Sequence, residues 1–355
     1  MRVKRDTPGW LSQSAYAAVV LTAAVVAFTM FIRPVRGIHT GLNQDGRTKF
    51  MDMVNGTAYR PFVYRTLLPT TVRIISRVTP DSVKRAATTF VEGHRSLRKN
   101  FQYLYWETSA AYEYGVASIL FIACFAGFAH TATQLTLRLT PIPSTLGTRM
   151  LLATTSLLCL APFFRFTCFP YDPPQLFLFA LAMYLLLEVR LVPFVVTFVL
   201  CCINKETAVL LIPLFAIVGG QQRVPAKTYW GILAGLSVGF VVIKTTISWI
   251  FRSNPGSFVE VQVAHNFEWL TRGWDFAELA GFFVIVFLLS YHWRDKAPFL
   301  KWALLCTLPA LMLPSPIWGF VNEWRIYYEV YPIGFALIAD SVWRLNNLRP
   351  AVAAS

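Results

Sequence analysis

The sequence predicts an all-α fold. It is a polytopic bundle of about ten transmembrane helices, with a long loop of amphipathic, interfacial helices after the first span. Three observations predict it. Of 355 residues, 55% are hydrophobic and only 14% are charged, where a soluble protein of this length carries about 25% charged residues. Apolar runs of roughly 17–25 residues, the length that crosses a bilayer, recur along the chain. The connectors between these runs alternate between a plainly basic kind and a mixed polar kind, as expected where cytoplasmic loops carry the positive charge.

The net charge of +14 raises nucleic acid as a partner. The basic residues sit in short segments between apolar runs, so they are assigned to topology and anionic lipid, and no nucleic acid is expected. Six cysteines are present, without zinc or redox spacing, and are read as small apolar fillers. No soluble domain, internal repeat or low-complexity segment is evident. The chain reads as one integral-membrane domain: a signal-anchor span over 1–32, an outer loop over 33–111 and a bundle over 112–355.

The basic start, Met1 to Arg5, is expected to stay cytoplasmic while an uncleaved signal anchor near 11–32 crosses outward. The segment 62–79 is apolar enough to tempt assignment as a span. Arg65, Arg73 and Arg77 would lie inside it, each costing about 2.5–3.5 kcal/mol near the bilayer centre, against about 0.3–0.6 returned per apolar residue. Leu67, Leu68, Thr71, Ile74, Ile75 and Val78 form one helical stripe away from Arg73, Ser76 and Arg77, which predicts an interfacial helix. A second follows over 81–99, with Val83, Ala86, Ala87, Phe90 and Val91 on one face and Asp81 or Ser82 as N-cap. The aromatic run 101–106 leads into the bundle.

The remaining spans read as 112–137, 149–163, 174–187, 191–203, 207–218, 228–250, 278–290, 299–313 and 327–343. Basic connectors lie at 138–149, 188–190, 221–227, 292–301 and 344–349, and are placed in the cytoplasm with both termini. The mixed polar connectors at 164–173, 204–206, 252–277 and 315–326 then face outward with the 33–111 loop. Spans 191–203 and 207–218 are short. At about 1.5 Å per residue each reaches some 20 Å of a core near 30 Å, so Asn204-Lys205-Glu206 is expected to be recessed in a cavity. The alternative is one long span with a buried Lys–Glu pair.

The polar residues therefore gather on one face: Asp45 and Asp52 with Arg60, Tyr64 and Arg65; Arg165 with Tyr171 and Asp172; Asn204, Lys205 and Glu206; His265; and Asn322, Glu323 and Arg325. Were residues 45–55 helical, the spacing of seven would put Asp45 and Asp52 on one face. Arg325 and Glu329 stand at i, i+4, the spacing of a helical ion pair. Recessed charges are costly unless paired or used. A carboxylate that deprotonates a hydroxyl, beside cations that neutralise a phosphate leaving group, would use them. The bland readings are a solvated Asp45, a helix-end Asp52, snorkelling Arg60 and Arg65, and a simple turn at Tyr171-Asp172.

A first span, a long outer loop with an early Asp and two interfacial helices resemble the GT-C superfamily of integral-membrane glycosyltransferases. Gly56-Thr57-Ala58-Tyr59, followed by Tyr64-Arg65 and Leu67-Leu68-Pro69, is similar to a pattern in its mannosyltransferases. The resemblance covers mainly residues 10–110. It implies an inverting transfer of a hexose from a polyprenyl-phosphate donor to an acceptor glycan, lipid or protein, outside a bacterial plasma membrane. Asp45 would then be the general base, with Asp52 the alternative, and the donor phosphate would fall to some of Arg60, Arg65, Arg165, Lys205 and Arg325. No cofactor is expected and no metal, because no His/Asp ligand set is visible. The competing expectations are a transporter or flippase of a lipid-linked or anionic solute, since broken short spans are a transporter feature, and a polysaccharide polymerase.

Overall fold

Each apolar run becomes a helix, because a backbone leaving water must satisfy its own polar groups. The computed structural model describes residues 10–33, 41–43, 46–164, 168–221, 224–259, 261–272, 276–321 and 323–347. In chain order the helices are α1 (Trp10–Ile32), α2 (Phe50–Asn55), α3 (Leu67–Val78), α4 (Asp81–Gly93), α5 (Arg95–Tyr103), α6 (Ala111–Leu139), α7 (Leu146–Leu158) and α8 (Asp172–Leu187). There follow α9 (Leu191–Asn204), α10 (Leu211–Gln221), α11 (Ala226–Ile250), α12 (Val263–Thr271), α13 (Phe276–Ser290), α14 (Pro298–Met312), α15 (Ser315–Trp318) and α16 (Tyr331–Asn346). Among the described residues the one β pairing is an isolated bridge between Arg60 and Gly256.

Five segments are long and apolar enough to cross a membrane: Trp10–Ile32, Thr108–Leu139, Leu146–Phe164, Ala226–Ile250 and Pro298–Trp318. Four shorter apolar helices accompany them: Asp172–Leu187, Leu191–Asn204, Glu206–Gly220 and Leu279–Ser290. α6 is the axis of the bundle and packs against α1, α7, α8 and α16. Phe31 of α1 meets Phe121, Phe125 and Phe164 edge-on, at centroid separations of 5.5, 5.8 and 5.5 Å. On the outside, Val238, Val241 and Val242 of α11 and Phe282, Phe283 and Val284 of α13 are exposed. Each of the two helices thus presents an uncovered apolar face of the kind a bilayer covers.

The chain reverses between α9 and α10. Lys205 is extended (φ −154°, ψ 150°) and ends α9. The rings of Phe194, early in α9, and Phe215, within α10, stack at 5.8 Å. One continuous helix could not bring them together, so the alternative of a single long span is excluded. Contacts sort the connectors into two ends. At one end Thr66 donates its backbone N–H to the Ile203 carbonyl (3.2 Å) and Arg60 does so to that of Pro255 (2.8 Å). At the other, Arg138 pairs with Glu188 at 3.1 Å. There the buried Lys296 ammonium donates to the Leu337 carbonyl (2.8 Å), Ser341 Oγ (2.7 Å) and Asp340 Oδ2 (3.2 Å). That clamps the middle of α16 to the α13–α14 connection.

Several local expectations change. α2 starts only at Phe50, after a turn and bend over 46–48, so residues 45–55 are not one helix and the shared-face argument for Asp45 and Asp52 fails. The 81–99 segment is two helices, because His94 is extended (φ −106°, ψ 106°) between α4 and α5. α4 starts at Asp81 itself with Pro80 in the cap position and no side-chain cap; Asp81 instead pairs with Lys84 at 2.9 Å. The apolar stripe of α3 divides. Leu68 turns into the protein alongside Val72, whereas Ile74 and Val78 are 56% and 77% exposed.

Candidate functional site

The site forms where four pieces of chain meet at one end of the bundle: the 3-10 turn Phe62–Tyr64 with the residues after it, the start of α8, the α9–α10 reversal, and the residues before α16. The α8 start is built by local bonds. Asp172, fully buried, accepts the Phe169 backbone N–H on Oδ2 at 3.2 Å. Pro173 and Pro174 follow it in the first turn, where proline costs no intrahelical hydrogen bond. Asn204 fixes the reversal against this start, donating Nδ2 to the Tyr171 carbonyl (2.9 Å) and to Gln175 Oε1 (3.1 Å).

Three ion pairs line the site in depth. At the mouth Arg65 reaches Glu206 through two bonds, Nη2 to Oε1 at 2.5 Å and Nε to Oε2 at 3.3 Å. Glu206 is half exposed there, while the Arg65 side chain is almost covered. Deeper, Lys205 Nζ lies 3.2 Å from Glu329 Oε1; the Lys205 side chain is 9% exposed and that of Glu329 0%. The Thr207 hydroxyl donates to the same carboxylate oxygen. To the side, Arg325 Nε meets Glu323 Oε2 at 2.6 Å. Arg325 sits in a 3-10 turn, Trp324–Tyr327, so the α-helical i, i+4 geometry toward Glu329 does not form and Glu329 goes to Lys205 instead.

Aromatic rings carry the two guanidinium groups. Phe169 stacks on Tyr171 at 5.2 Å and on Phe62 at 5.5 Å, with interplanar angles of 9° and 15°. Arg65 lies over the Tyr171 ring and Arg325 over the Phe169 ring, each 4.3 Å from the centroid, within cation–π range. Arg65 also donates to the Tyr171 hydroxyl. Burial, the largest single influence, pulls the Arg65 guanidinium down, but the charge and hydrogen bond of Glu206 with the added pull of Tyr171 and Asp172 together hold Arg65 well above its ordinary value. Arg325 is raised in the same way, burial being outweighed by Glu323, Tyr171 and Asp172 together. Burial pushes the Tyr171 phenol up, against the lowering pull of Arg65 and Arg325. Both cations therefore stay charged and Tyr171 stays a neutral hydroxyl.

Of the residues expected at the site, Arg65, Tyr171, Asp172, Asn204, Lys205, Glu206, Glu323 and Arg325 come together. Asp45, Arg165 and Asn322 lie outside the described residues. Arg60 points elsewhere, its Nη2 donating to the Gly256 carbonyl at 2.6 Å. Tyr64 is buried and its ring meets Phe258 at 5.9 Å. His265 is exposed on α12, edge-on to Phe320 at 4.8 Å. Asp52 makes no contact with the cluster among the hydrogen bonds and ion pairs of the described residues. It opens into a cavity of about 260 Å³ with Asn43, Lys49, Tyr105, Glu107 and Tyr114, whereas its neighbour Met53 belongs to one buried cluster with Phe62, Phe169 and Tyr171.

Sequence reasoning missed Phe62, Phe169 and Lys244. The ammonium of Lys244, within α11, is buried and makes no hydrogen bond in the structure; it stands within electrostatic range of Glu206 and Arg65. A lone lysine inside the apolar run 228–250 was the available signal, since an intramembrane charge is a functional candidate by default. Among the described residues, no group of three or more His, Cys, Asp or Glu side chains could hold a metal ion. Arg65, Lys205, Arg325 and Lys244 face Asp172, Glu206, Glu323 and Glu329, so cations and carboxylates balance. Such a set can hold a polar substrate and exchange an internal carboxylate for an incoming anion. Comparison with protein-family models, with curated proteins and with solved structures finds no match for this chain.

Proposed function

We propose that this protein is an inverting glycosyltransferase of GT-C type. It moves a sugar from a polyprenyl-phosphate donor to an acceptor hydroxyl on the non-cytoplasmic side of the membrane. The observation that carries the reading is the recessed cluster of Arg65, Tyr171, Lys205, Glu206 and Arg325 at one end of an apolar bundle. The donor phosphate lies against Arg65 and Arg325, which ride the aromatic stack, and displaces Glu206 and Glu323 from them. Asp45 takes the acceptor proton as the hydroxyl attacks the anomeric carbon, and the cations neutralise the departing phosphate. The exposed apolar faces of α3 and α4, with Ile74, Val78, Val83 and Phe90 outward, lie on the membrane surface beside the site. The test is transfer from a polyprenyl-phosphate hexose in proteoliposomes, with Asp45→Asn inactive and still able to bind donor.

One observation favours a second reading, transport of an anionic or lipid-linked solute. The α9–α10 reversal places a buried Lys–Glu pair at a helix break, the arrangement around which alternating-access carriers bind substrate. Solute uptake or lipid scrambling in the same proteoliposomes, without sugar transfer, would select it.

A further inference from the structure

A second cavity, of about 170 Å³, lies on the other flank of α2 and is lined by Met51, Val54, Asn55, Arg73, Ser76, Arg77 and Glu113. We infer that this cavity binds a phosphate group carried on a membrane lipid, with Arg73 and Arg77 as its cations. The inference is independent of glycosyl transfer.

The cavity differs from the central cluster in its charge accounting. There, Arg65, Lys205 and Arg325 each have a carboxylate partner. Here, neither Arg73 nor Arg77 forms an ion pair among the described residues. The one carboxylate present, Glu113, takes a hydrogen bond from Ser76 Oγ at 2.6 Å. The pocket thus keeps an excess of one positive charge. The two guanidiniums are held together by the fold. They stand one helical turn apart on α3, and burial followed by the charge of Arg77 pushes Arg73 down. An anion between them relieves that repulsion.

The position of Arg73 is built. Its Nε donates to the Val54 carbonyl near the end of α2. Gly56 closes that helix in the left-handed region (φ +77°), and a Cβ there would meet Arg73 Nη2 at 3.0 Å and Phe251 Cε1 at 3.2 Å. A side chain at 56 would therefore crowd the Arg73 guanidinium and the Phe251 ring. The same helix exposes Ile74 and Val78, so the cation pair is flanked by apolar surface. That pairing of charge and grease suits a lipid headgroup.

Calorimetric titration of the full chain in uncharged detergent tests this, with dihexanoyl phosphatidic acid, dihexanoyl phosphatidylcholine and inorganic phosphate as probes. Phosphatidic acid is expected to bind, and the choline lipid much more weakly. Arg77→Met, which disturbs no backbone bond, should weaken phosphatidic acid by roughly tenfold, the worth of one charge-assisted bond. Glu113→Gln should tighten it. Inorganic phosphate binding as tightly, with the same dependence on Arg77, would keep the phosphate site and move its source to the water. Unchanged phosphatidic acid affinity in both Arg77→Met and Arg73→Met, or weaker affinity in Glu113→Gln, would overturn the inference.

Discussion

Phe194 and Phe215 stack at 5.8 Å across the extended residue Lys205. This contact fixes α9 and α10 as a hairpin whose tip carries Asn204, Lys205 and Glu206. The tip is therefore delivered to the same end of the bundle as Tyr171 and Arg325, which is what makes a single site of distant segments.

The first prediction concerns sidedness. In a background lacking the six native cysteines, Ser253→Cys should react with a membrane-impermeant maleimide added to intact cells. Arg190→Cys, at the opposite end, should react only after lysis. Both positions are exposed, so the reverse pattern would invert the topology and put the site in the cytoplasm.

The second concerns the buried pair. Lys205→Met leaves Glu329 as an uncompensated buried charge, and breaking such a pair costs about 3–5 kcal/mol. Lys205→Met with Glu329→Gln should recover most of that loss. Thermal melting in detergent would show it. A double variant no more stable than the single one would mean that Glu329 is not held by Lys205.

The third concerns the base. Asp45→Asn should lower sugar transfer by about 10²–10⁴-fold, the usual worth of general-base catalysis, with donor binding intact. Asp52→Asn should be milder, because Asp52 opens into the cavity with Lys49 and Glu107. A dead Asp52→Asn beside an active Asp45→Asn would move the role to Asp52.

The fourth concerns Arg65 and Tyr171. Arg65→Lys keeps the charge but loses the two-point grip on Glu206 and the flat contact with Tyr171, so transfer should fall although the cation remains. Tyr171 is raised in the fold. Its contribution to stability is thus complete below its unfolded value of about 10 and is lost as pH rises through the folded one. Tyr171→Phe should flatten the fall in melting temperature above pH 10. An unchanged slope would show that Tyr171 does not govern it.

Much of the fold was legible because apolar runs report directly on helices. Spans read at 174–187 and 228–250 match α8 and α11 within two residues at each end. The site was legible where polar residues interrupt such runs, as Asn204, Lys205 and Glu206 do. What escaped depends on contacts between distant segments. Nothing local tells Phe62 that it will stack on Phe169, or Glu329 that its partner is Lys205 and not Arg325. α12 was missed for a related reason. Its Asn266 bonds to the carbonyls of Pro316 (2.9 Å) and Gly319 (2.6 Å) and to the Val321 N–H (3.0 Å), a role that has no sequence period. The start of α2 was misplaced because residue spacing alone does not report that 46–48 turns.

The Lys296 clamp anchors the middle of α16 and leaves the segment before it to carry the site. With its Leu337, Asp340 and Ser341 held on Lys296, any sliding of this helix along its axis would break three hydrogen bonds. On the proposed function, displacement of Glu323 from Arg325 by an incoming anion would then fall on the segment ahead of the helix and not on the helix itself. The bundle would thus answer occupancy of the site by rearranging a short segment in front of an anchored helix.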